Sequence, residues 1–124
     1  MRKVSFVCAF ALFVAGSAVT SEETDVLAPI HQFVDGFNKG DVKFALDACA
    51  AETSIIDEFP PHEWHGAGAC AKWAEDYVAN AKKENITDGV VKLHNPSHVT
   101  VSGDRANVVA PTDYAWKQKG KPMK

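Results

Sequence analysis

Thr53-Ser54-Ile55-Ile56-Asp57-Glu58-Phe59-Pro60-Pro61-His62-Glu63-Trp64-His65-Gly66 is the stretch that decides the fold. Thr53–Phe59 is rich in β-branched and aromatic residues and reads as a strand. Pro60-Pro61 stops it, because proline has no N–H to give a ladder. His62-Glu63-Trp64-His65 returns beside that strand, and Gly66 and Gly68 open a helix. A short β-pair set between helical segments predicts the α+β class.

Upstream, Val26, Leu27, Ile30, Phe33, Val34 and Phe37 recur at the spacing of one face of an amphipathic helix over residues 22–38. Pro29 limits how early this helix can start. Gly40 ends it, since glycine enters the left-handed region at no steric cost, and Asp41 caps a second helix. That helix shows Val42, Ala45, Leu46 and Cys49 on one face.

Downstream, Cys70, Trp73, Ala74, Tyr77, Val78 and Ala81 form the inner stripe of a third helix. From Ile86 the period becomes that of strands, through Val90, Val91 and Leu93, with a break at Asn95-Pro96 and a resumption at Val99 and Val101. Gly103-Asp104 reads as a two-residue hairpin turn. With Ser102 opposite Arg105, Val101 faces Ala106 and Val99 faces Val108, while His98 and Val109 share the other face. The returning strand runs through Tyr114 and Trp116 to a second turn at Lys119-Gly120-Lys121-Pro122. The expected order is α-α-β-β-α-β-β, in one domain with no internal repeat.

The N-terminus has the pattern of a secretory signal peptide over residues 1–18. Arg2 and Lys3 precede an apolar run, Val4 to Val14, and small residues Ala15-Gly16-Ser17-Ala18 follow. An uncleaved anchor is the alternative. The run falls short of the roughly 20 residues that span a bilayer, and no later segment is as apolar for as long, so no membrane span is expected after its removal. The domain is then residues 19–124, periplasmic or secreted.

Of 13 Lys and Arg against 16 Asp and Glu, cleavage removes two bases, taking the net charge from −3 to −5. Four of the remaining bases, Lys117, Lys119, Lys121 and Lys124, crowd the last eight positions, so no continuous basic face exists and nucleic acid is excluded as a partner. Cys8 leaves with the signal. Cys49 and Cys70 remain, and an even count in an exported chain favours one bridge over two free thiols.

The phrases Phe37-Asn38-Lys39-Gly40-Asp41, Ser54-Ile55-Ile56-Asp57-Glu58 and Trp64-His65-Gly66, in that order and spacing, resemble the nuclear transport factor 2-like superfamily and within it the SnoaL-like group of small exported bacterial proteins. The resemblance covers residues 26 to 121. It implies a curved antiparallel sheet wrapped around three helices as a cone with an apolar pocket. It also implies two further strands after the Lys119-Gly120-Lys121-Pro122 turn, so a C-terminally incomplete domain is expected. An open sheet edge makes a homodimer a third reading, after a pocket protein and an enzyme.

The superfamily includes ketosteroid isomerases, whose general-base aspartate aligns with Asp57. In a pocket mouth, desolvation raises a carboxylate's pKa and suits it to proton abstraction. The tyrosine that donates to the oxyanion in those enzymes falls on Phe33, which has no donor, and Asp113 lies one strand too early to replace their second acid. His62 and His65 are the candidate acid–base helpers of Asp57, because imidazole titrates near neutrality. His-x-x-His on an extended segment points its rings to opposite faces, so no metal is expected, and no cofactor motif is present. Phe33, Phe37, Trp64, Trp73, Tyr77, His98, Tyr114 and Trp116 are the candidate pocket wall. The expected ligand is a small apolar molecule, with an isomerase, cyclase or dehydratase as the alternative.

Overall fold

The computed structural model describes residues 21–124; the signal peptide expected over residues 1–18 lies outside them. The chain is a mixed α+β structure with helices α1 (Ser21–Lys39), α2 (Val42–Leu46) and α3 (Ala69–Glu84). Its strands are β1 (Glu52–Ile56), β2 (Glu63–Ala67), β3 (Ile86–Leu93), β4 (His98–Ser102), β5 (Arg105–Val109), β6 (Thr112–Gln118) and β7 (Lys121–Met123). They form three open antiparallel sheets, ordered β1-β2, β3-β6-β7 and β4-β5.

Helix α1 runs through Pro29 and begins eight residues before it, earlier than the proline suggests. A proline inside a helix removes one intrahelical bond, but here the stripe of Val26, Leu27 and Ile30 continues across it, half-buried. The C-terminal end follows the sequence closely. Gly40 takes φ 69°, and the Asp41 carboxylate accepts from the Phe44 N–H at 3.0 Å, capping α2. The two helices touch where Gly36, itself buried, meets Ala45.

An amide pairing and a cysteine pair are among the contacts that hold the helices in place. The Asn38 amide donates to the Val91 carbonyl and accepts from the Val91 N–H, both at 2.8 Å. It pairs with β3 as another strand residue would. Cys49 and Cys70 lie at disulfide distance, with Cα atoms 6.5 Å apart, joining the turn after α2 to the first turn of α3. Cys49 falls just beyond α2, which is shorter than the sequence stripe implies. Closing a loop of this size stabilises by about 3 kcal/mol on the chain-entropy account.

β1 and β2 pair in the register Ile55↔Trp64 and Ser54↔His65. β1 ends at Ile56, short of Phe59, and the Asp57 N–H still bonds the His62 carbonyl at 3.0 Å. The long hairpin has the register read from the sequence, Ser102↔Arg105, Val99↔Val108 and His98↔Val109.

Each of its arms is interrupted, at residues 94–97 and 110–111, so the two expected long strands become β3 and β4, β5 and β6. Proline explains both breaks, since Pro96 and Pro111 cannot donate to a ladder. The turn at Lys119-Gly120 brings Lys121–Met123 back beside β6 as a short β7, a strand where the sequence reading had only a turn. Between Thr87 and Val90 the β3–β6 register slips by one residue, a bulge at Asp88-Gly89.

Candidate functional site

An open cavity of about 500 Å³ lies between α1, α2, α3 and the start of β3. Phe33 and Phe37 reach it from α1, Trp73 and Tyr77 from α3, and Gly89 from the bulge in β3. Helical spacing explains the first four, because Phe33 and Phe37, like Trp73 and Tyr77, are four apart and stack one turn above the other on the same face. Phe33 packs on Trp73 at 5.5 Å between ring centroids, Phe37 on Tyr77 at 5.2 Å, and Trp73 stacks on Tyr77 at 5.7 Å. None of these rings is fully buried; among the described residues the buried hydrophobic side chains are Ala45, Trp64, Ala69 and Cys70. The aromatic interior is therefore shared between core and open space.

Polar groups within this wall are bonded to one another. The Trp73 indole N–H donates to Asp57 Oδ2 at 2.8 Å, while Asp57 Oδ1 accepts from the Glu58 N–H at 2.7 Å. The buried Trp64 donates to Asp76 Oδ2 at 2.9 Å, and Lys72 donates to Asp76 Oδ1 at 2.8 Å. The ammonium of Lys72 and the Trp64 indole hold the Asp76 carboxyl below its ordinary range. The hydroxyls of Tyr77 and Tyr114 meet at 2.8 Å. Burial first, then the bond to Tyr114 and the charge of Asp57, push the Tyr77 phenol well above its ordinary value, so it stays protonated.

Of the eight pocket candidates, Phe33, Phe37, Trp73 and Tyr77 border the cavity. Tyr114 adjoins it through its ring contact with Phe37 at 6.3 Å and its bond to Tyr77. Trp116 stacks on Tyr114 at 4.9 Å, one step further out, and its buried indole N–H has no partner among the described residues. Trp64 lies beneath, against Phe59 at 5.1 Å. His98 is exposed on β4, its Nε2 2.7 Å from the Thr100 hydroxyl; it does not border the cavity. His94, at the Pro96 break, pairs with Asp113 at 2.9 Å.

Neither candidate imidazole reaches the Asp57 carboxylate, whose partners are Trp73 and the Glu58 N–H. Strand alternation turns Ile55, Asp57 and Trp64 inward and Ser54, Glu63 and His65 outward. His62 takes φ 77°, and its Nδ1 lies 3.2 Å from the Asp57 backbone carbonyl, in the open. His65 sits on the exposed face, its Nδ1 3.0 Å from Ser54 Oγ and its Nε2 3.3 Å from Glu63 Oε2. Among the described residues, no three His, Cys, Asp or Glu side chains converge on a metal position, and no helix is long and apolar enough to cross a membrane.

Two features of the site escape sequence reading. Phe59, taken only as a strand end, is a bridge between Trp64, Trp73 and Tyr77. The Tyr77–Tyr114 bond links residues 37 apart, which periodicity does not relate. Asp88-Gly89 did carry a signal, because an isolated glycine in a strand pattern marks a bulge or a close approach. Comparison with family models, with curated proteins and with solved structures yields no match.

Proposed function

We propose that the chain is an exported, SnoaL-like member of the nuclear transport factor 2-like superfamily that binds a small apolar molecule in the cavity between α1, α3 and β3. The observation that carries this reading is the incompletely filled aromatic wall. Four rings, Phe33, Phe37, Trp73 and Tyr77, border about 500 Å³ of space, within the roughly 300–1,000 Å³ of ligand sites. The Cys49–Cys70 pair accords with export.

An isomerase, cyclase or dehydratase with Asp57 as base is the second reading, favoured by the contact of Asp57 with Trp73 at the cavity wall. It ranks lower because His62 and His65 turn to solvent and leave the Asp57 carboxylate without an imidazole partner among the described residues.

A thermal-shift panel of sterols, polyketide-like compounds and apolar carbonyl compounds tests the proposal. A true ligand at about 100 times its Kd stabilises by about 2.7 kcal/mol, a rise in Tm of several degrees. No stabilisation by any member of the panel would overturn it.

A further inference from the structure

At the edge of the cavity two half-buried hydroxyls are paired, that of Tyr77, which borders it from α3, and that of Tyr114, behind it on β6. Each phenol carries one hydrogen. Their mutual bond uses one of the two, whichever tyrosine donates, so the pair always retains a spare O–H. Neither hydroxyl has another hydrogen-bond partner among the described residues.

The position of the pair is fixed by a missing side chain. A Cβ on Gly89 would fall 2.7 Å from the Tyr114 hydroxyl and 3.0 Å from that of Tyr77, far inside van der Waals contact. The bulge at Asp88-Gly89 thus places a bare backbone under the two oxygens, at residues that border the cavity.

We propose that the Tyr77–Tyr114 pair is the polar anchor of the cavity, and that its ligand is a neutral, largely apolar molecule with a carbonyl or ether oxygen that accepts the spare hydrogen. This rests on the cavity being a ligand site and adds the class of ligand. The aromatic wall takes the apolar body. The cavity has no net positive charge to select an anion, because Lys39 and Asp88 both border it and Asp57 lies against Trp73, which stacks on Tyr77. Burial keeps Tyr77 in its donor form across the working pH range.

Benzophenone and diphenylmethane differ only by the carbonyl, and equilibrium dialysis of each against the full chain tests the anchor. The double variant Tyr77→Phe/Tyr114→Phe, which keeps both rings, weakens benzophenone about tenfold and diphenylmethane less than twofold. The single variant Tyr114→Phe leaves Tyr77 its own hydrogen and keeps benzophenone within about twofold of the native chain.

Equal losses for both probes, or no loss for either, would overturn the anchor and leave the cavity reading standing. Failure of the native chain to bind either probe would overturn both. Should the double variant not fold, Gly89→Ala displaces the pair from the β3 side and carries the same expected tenfold loss, selective for the ketone.

Discussion

The two faces of the β1–β2 pair hold similar side chains in opposite circumstances. Outside, Ser54, His65 and Glu63 form a hydrogen-bonded row in water, with the His65 and Glu63 side chains 59% and 64% exposed. Inside, one residue along, Asp57 and Trp64 are bonded to Trp73 and Asp76 among aromatic rings. The outer row has the residue order of a nucleophile, base and orienting acid, yet its charges are screened and its donors have water as an alternative partner. The inner bonds form where water is partly displaced, so each is harder to replace. Polar density in sequence therefore does not say which polar groups are held among the rings; the side of the sheet does.

The contrast breaks most easily at Gly36. A Cβ there would lie 2.6 Å from the Ala45 nitrogen and 2.8 Å from its Cα, and backbone cannot swing aside as a side-chain tip can. Gly36→Ala is expected to destabilise by about 3 kcal/mol in urea unfolding, the upper part of the usual overpacking range. A loss below about 1 kcal/mol would mean that α1 and α2 are not in this contact and that the cavity wall is set differently.

Asn38→Ala is the next test on the same wall. It removes both bonds to Val91, with an expected loss of about 2 kcal/mol. Asn38→Asp sharpens it, because a carboxylate still accepts from the Val91 N–H but cannot donate to the Val91 carbonyl, so a smaller loss is expected.

Local chemistry made much of this legible in advance. Gly40 and Asp41 mark the α1–α2 junction because a left-handed residue and a cap act within a few positions. Gly103-Asp104 sets the β4–β5 register for the same reason, and once that register is known every cross-strand partner follows. Phe33, Phe37, Trp73 and Tyr77 are visible by helical spacing. The stripe over residues 22–38 holds across Pro29, whose local cost it outweighs.

The Tyr77–Tyr114 bond and the docking of Asn38 on Val91 depend on how α3 and α1 pack on the β3–β6 sheet, 37 and 53 residues away in sequence. No periodicity within one element encodes such pairs. The surroundings of the Asp57 carboxylate lie beyond local reading for a similar reason. His62 and His65 are its neighbours in sequence, whereas Trp73, sixteen residues on, is its neighbour in space.

The smallest effect belongs to the outer face and is the most discriminating. His65→Ala and Ser54→Ala are each expected to change stability by less than about 0.5 kcal/mol, as befits surface substitutions away from caps and cores. Both should leave any hydrolysis of p-nitrophenyl acetate by the chain unchanged. Ser54 and His65 are direct cross-strand partners, so their contact follows from strand register and needs no catalytic explanation. A loss above about 1 kcal/mol would mean that something covers this face, and a loss of esterase activity in Ser54→Ala would make the row a working nucleophile site. Either result would erase the distinction between the two faces, because the outer row would then be dry or reactive despite its exposure. With neither, the outer row is a wet surface, and the polar groups that are costly to replace are those held among the rings, Asp57 and Trp64.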